Sequence, residues 1–97
     1  MTRFSLSREA RNDLKGIYRY LAERSSSATG RLHDLFFEKF RLLARHPLLG
    51  DAREDLAPGI RTFSAGKHVV LYRQTHRGIT VVQIAHSAQD LATLFRR

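Results

Sequence analysis

The side chains able to do chemistry in this chain are five histidines, two candidate serines and a set of cations in the C-terminal half. His33, His46, His68, His76 and His86 show no HExxH or other metal-ligand spacing, so neither a metal nor a cofactor is expected. Gly66-Lys67 resembles the end of a phosphate loop, a motif that needs four residues between its glycines and Ser or Thr after the lysine. Here six residues separate Gly59 from Gly66 and His68 follows, which rejects that reading. Ser64 and Ser87 lack a Gly-x-Ser-x-Gly elbow, and no carboxylate pair stands out as an acid/base couple. What remains is Arg61, Lys67, Arg73, Arg77 and His86, all on or beside strand-like runs.

With 97 residues the chain forms one domain and has no material for a second core. The formal charge of +8, from 17 Lys and Arg against 9 Asp and Glu, favours acidic partners such as nucleic acid or an acidic protein segment. Residues 1–46 hold 10 basic and 5 acidic side chains, so the surplus lies mainly in the N-terminal half. The absence of cysteine excludes disulfides and thiolate chemistry and fits a reducing compartment. No apolar run approaches the roughly 18 residues a membrane span requires, and MTRFSLSREARND lacks the apolar middle of a signal peptide. A cytoplasmic location without membrane contact is the expectation.

Alternation over Thr2–Leu6 predicts a short first strand. Ser7 is placed to cap a helix, with Glu9 near the positive end of its dipole, and Ala10, Leu14, Ile17, Tyr18 and Leu21 follow on one face. Arg8, Arg11, Lys15 and Arg19 form a basic stripe roughly opposite. Ser25, Ser26 and Ser27 interrupt the pattern. Leu32, Leu35, Phe36, Phe40 and Leu43 define a second helix that should stop at His46, because the residue before Pro47 is pushed out of the α region. LLGDAREDLAPG reads as a connecting loop, in which Arg53 can pair with Asp51 or Glu54. Strands are expected over 60–65, 68–74 and in ITVVQIA after a four-residue polar tip. Ser87 with Asp90 resembles a capping box opening a last helix through Leu91, Leu94 and Phe95, with Arg96 and Arg97 at its end. The resulting order, β-α-α-β-β-β-α, is an α+β, two-layer arrangement: a helical hairpin packed on a small antiparallel twisted sheet.

Four segments resemble the ParE branch of the RelE/ParE toxin superfamily: LSREARNDLKGIYRYLAE, FEKFRLLARHPLLGDAREDL, GIRTFSAGKHVVLYR and VVQIAHSAQD. Their order and spacing cover nearly the whole chain without an insertion. The resemblance implies a RelE/ParE-like fold and the toxin half of a type II toxin–antitoxin module, held inactive by a cognate, ParD-like antitoxin. ParE-type members inhibit DNA gyrase, whereas RelE-type relatives cut messenger RNA in the ribosomal A site. A fold shared by both cannot decide between them.

Cutting RNA through its 2′-hydroxyl needs a proton acceptor, a proton donor and cations facing the phosphorane. Arg61, Lys67, Arg73 and His86 are the candidates if the chain is RelE-like. Against that, no tyrosine follows Tyr72, where several RelE-type enzymes use one, and the basic surplus lies on the helices rather than around the sheet. His86 sits in AHSAQD, a strand-end segment in which ParE-like members use histidine to brace the last turn. The expectation is therefore a non-catalytic gyrase inhibitor, with a messenger RNA endoribonuclease or an inactive antitoxin-binding member as alternatives. Arg53, Arg61 and Arg73 are candidate target-binding residues. Antitoxin binding is assigned to the partly exposed apolar residues Tyr20, Phe37 and Leu42, with Arg11, Lys15 and Arg19 supplying charge attraction. Contact with DNA is expected only indirectly, through a toxin–antitoxin hetero-oligomer.

Overall fold

A computed structural model describes residues 3–95, apart from the side chain of Phe95. The expectations placed on Thr2, Arg96, Arg97 and the Phe95 side chain lie outside the described residues. The elements run β1 (Arg3–Leu6), α1 (Arg8–Ala22), α2 (Ser26–Arg45), β2 (Asp51–Ala52), β3 (Arg61–Ala65), β4 (His68–Thr75), β5 (Gly78–His86) and α3 (Leu91–Phe95). The α1–α2 hairpin covers one face of a five-stranded sheet ordered β1-β5-β4-β3-β2. This is the two-layer α+β fold expected from the sequence.

Both long helices begin on a serine whose hydroxyl accepts a first-turn amide: Ser7 from Ala10 at 3.0 Å and Ser25 from Ala28 at 3.2 Å. α2 ends at Arg45 with His46 as its cap, in the place Pro47 requires. Gly30 lies inside α2, because the Ser25 cap starts the helix five residues before it.

Three details depart from the sequence reading. β1 pairs in parallel with β5, with Ser5 opposite Thr80, so only β2 to β5 form the antiparallel meander. The loop after Pro47 contains the two-residue β2, paired to β3. The last helix is capped by Asp90, not Ser87: Asp90 Oδ1 accepts from the amides of Ala92 and Thr93, while the Ser87 amide donates to the Lys67 carbonyl. The Asp90 carboxylate is adjacent to the helix start, whereas Ser87 is held by the β3–β4 turn.

The core joins Ala10, Leu14, Phe36, Phe40 and Leu43 of the helices to Val70, Tyr72, Ile79, Val81 and Ile84 of the sheet. Phe4 closes its β1 side, with its ring 5.5 Å from Phe37 and 5.4 Å from Phe40. The β4–β5 register shifts at Leu71/Tyr72, leaving Val82 without a partner across the ladder. Helix-side residues satisfy the displaced backbone: the Ser7 hydroxyl donates to the Val82 carbonyl at 2.6 Å, and Asp13 Oδ2 accepts the Ile84 amide at 2.9 Å. These two bonds tie the first half of α1 and its cap to β5.

Candidate partner-binding groove

The second half of α1 and the ends of β4 and β5 enclose a groove of about 740 Å³. Ile17, Leu21 and Ile84 supply apolar wall, Tyr20 stands on the rim 57% exposed, and Lys67, His86 and Gln89 line the opposite side. An apolar floor bounded by charged and amide groups suits an amphipathic peptide segment. Gly16 also lines it, and a Cβ there would meet nothing within 4 Å.

Lys67 reaches this groove because Gly66, at φ +61°, turns β3 into β4 in two residues. His68 and His86 are register partners with ring centroids 5.6 Å apart, and His68 also packs edge-on against Phe36. Burial, and then the neighbouring His86, lower the His68 pKa from its ordinary value. Its Nδ1 is buried with no hydrogen-bond partner among the described residues. His86 Nδ1 accepts from the Ala88 amide at 3.1 Å, and the His86 amide donates to Gln89 Oε1 at 2.7 Å. That histidine braces the turn after β5.

The candidate cations divide between the two ends of the sheet. Lys67 and His86 share the groove, while Arg61 and Arg73 lie near the opposite end of the β3–β4 hairpin. Lys67 and Arg73 are six positions apart along the chain, roughly 20 Å at the usual strand rise. Arg61 donates from Nη1 to the carbonyls of Leu48 at 3.2 Å and Gly50 at 2.6 Å, and Arg73 Nε donates to Pro58 at 3.1 Å. Arg53 pairs with Asp55 at 2.8 Å, in place of the expected Asp51 or Glu54, and this bond lowers the Asp55 pKa. The three arginines assigned to target contact thus clasp the loop over residues 47–60.

Among the antitoxin-binding candidates, Tyr20 is on the groove and carries Arg24 over its ring at 4.1 Å. Arg11, Lys15 and Arg19 are exposed, with Arg11 donating to the Leu6 carbonyl from both Nε and Nη2. Phe37 and Leu42 are half-buried on α2, where the Phe37 ring packs at a tilt against His33 and Phe40. The polar groove residues that sequence reasoning missed are Asn12, Asp13, His68 and Gln89. Asp13 lies inside a helical pattern without a periodic signal, and His68 becomes visible only once β4 and β5 are paired.

A family model described as "ParE toxin of type II toxin-antitoxin system, parDE" matches residues 4–91. The chain belongs to the ParE toxin family. It is 31% identical to Toxin ParE3 of Caulobacter vibrioides over 97 aligned residues, covering 95% of this chain and 93% of that one. It is also 30% identical over 90 residues to Toxin RelE3 of the same organism, covering 92% of this chain and 98% of the relative. A solved structure titled "Chromosomal ParDE TA system from P. aeruginosa" superposes with a TM-score of 0.71 at 21% identity, covering 89% of this chain and 96% of that one. The fold is therefore that of a ParE toxin, and no helix among the described residues is long and apolar enough to cross a membrane.

Proposed function

We propose that this ParE-type toxin inhibits DNA gyrase and is neutralised by a cognate ParD-like antitoxin that occupies the α1–sheet groove. The observation that carries the gyrase reading is the separation of the cations. Arg61 and Arg73 bind backbone carbonyls at one end of the β3–β4 hairpin, while Lys67 and His86 stand at the other. Phosphodiester cleavage needs its proton acceptor, donor and charge-neutralising groups around one phosphate. A surface inhibitor needs no such convergence.

The groove supports the antitoxin reading. A tail that folds on binding would place apolar side chains over Ile17, Leu21 and Ile84 and acidic ones towards Lys67, while the exposed Arg11, Lys15 and Arg19, outside the groove lining, add longer-range charge attraction. Incubating purified gyrase with supercoiled plasmid and this protein tests the proposal: cleaved plasmid accumulates, and adding the antitoxin prevents it. Messenger RNA cleavage on programmed ribosomes, without an effect on gyrase, would establish the endoribonuclease reading instead.

A further inference from the structure

Two adjoining hollows of about 520 and 420 Å³ share Arg3, Ala44 and Arg45. They lie where β1 begins, α2 ends and the β4–β5 turn projects. Arg41 joins from α2, and His76 and Arg77 from the turn. Four guanidiniums and an imidazole therefore converge from three parts of the chain distant in sequence. No Asp or Glu lines either hollow. All five side chains are exposed, and among the described residues none of them enters an ion pair.

Helix-dipole stabilisation accounts for Arg45 in the last turn of α2, and for none of the others. Arg41 and Arg45 stand one turn apart, where like charges repel. A concentration of positive charge with no carboxylate among the described residues that line it is complementary to an anion from outside the chain.

We propose that this patch binds the phosphate backbone of duplex DNA directly and without sequence preference. Guanidinium forks match phosphate oxygens in pairs, and the turn and helix end present them from both sides of a shared hollow. The one phenyl ring on the lining, Phe4 of the smaller hollow, is half-buried and packed against Phe37 and Phe40, so unpaired bases would find little stacking surface. Beside Phe4, the apolar lining is Ala44, itself buried, and Pro47, which leaves an acidic peptide no deep anchor. Duplex RNA is read across two successive minor grooves, and this is a single cluster. The contact is independent of the gyrase reading and adds a direct DNA surface to the indirect one expected through the antitoxin.

Fluorescence anisotropy of a short labelled DNA duplex with the purified full chain, over about 50 to 200 mM salt, tests it. R45Q/R77Q should weaken binding by roughly tenfold at the lower salt and reduce the slope of log affinity against log salt by roughly 2. R8Q/R31Q removes the same charge from exposed sites elsewhere and should shift affinity by less than roughly threefold. R77Q alone, in an exposed turn, should lower the slope by roughly 1 and guards against loss of fold in the double variant. The proposal is overturned if the wild-type chain does not bind the duplex, if both double variants lose equally, or if duplex RNA or a polyglutamate peptide binds more tightly than DNA.

Discussion

The hydroxyl of Tyr72 occupies the space beside Gly50 that a side chain would need: it accepts the Gly50 amide at 2.8 Å, and a Cβ on Gly50 would stand 2.6 Å from it. The same hydroxyl donates to the Pro47 carbonyl at 2.8 Å, so one buried phenol fixes both ends of the turn after α2. Removing it in Tyr72→Phe leaves a buried amide and a carbonyl without that partner, at a cost of about 1–3 kcal/mol. Gly50→Ala should cost a similar amount by overpacking, since the added Cβ also meets the Thr62 carbonyl at 2.7 Å. Urea unfolding of the two variants and of the double variant checks this. The double variant should be less destabilised than the sum, because deleting the hydroxyl removes the shortest of three close contacts, leaving those with the Thr62 carbonyl and with Tyr72 Cε1 at 2.8 Å.

His68 gives the fold a pH dependence of defined sign. Its folded-state pKa lies below the ordinary value because burial and His86 disfavour the charged ring. Its contribution is therefore fully present above about pH 6.5 and is lost as pH falls from there through the folded-state value, while the unfolded chain takes up the proton first. His68→Phe should flatten this part of the profile. Thermal melts of both proteins between about pH 7.5 and 5 would show the wild type losing stability faster on acidification; parallel curves would remove His68 as the cause.

Open space at Gly16 separates groove occupancy from folding. Gly16→Ala should stabilise α1 by up to about 1 kcal/mol, since Ala is the better helix former and its Cβ meets nothing within 4 Å. Gly16→Leu keeps the helix and fills the groove, and should weaken antitoxin binding by roughly tenfold or more. Calorimetric titration with the cognate antitoxin reads this directly. Unchanged affinity for the Leu variant would place the antitoxin elsewhere.

The elements governed by local rules were legible before any coordinates: the serine cap of α1, the α2 stop set by Pro47, and the β-branched runs of β3 to β5. Pairings over long sequence separations were not. Nothing near Ser5 announces that it will lie beside Thr80 in parallel, with the two hydroxyls 2.9 Å apart. The strand-end cations show the same limit. Lys67 and His86 meet because a register pairs His68 with His86, and Arg73 is carried away from them by the same strand. Side-chain partners were harder still: the roles of Arg61 and Tyr72 depend on carbonyls exposed by the turn at residues 47–50, a geometry no residue pattern encodes.

The proposed action of this ParE-family chain on gyrase is through its surface, with no phosphodiester chemistry of its own. The most direct measurement adds the purified protein, in parallel, to gyrase with supercoiled plasmid and to ribosomes programmed with messenger RNA. Cleaved plasmid should appear in the first reaction and be unaffected by His86→Ala, with the messenger RNA in the second remaining intact. Intact plasmid together with A-site cleavage that disappears in His86→Ala or Arg73→Ala would contradict the account.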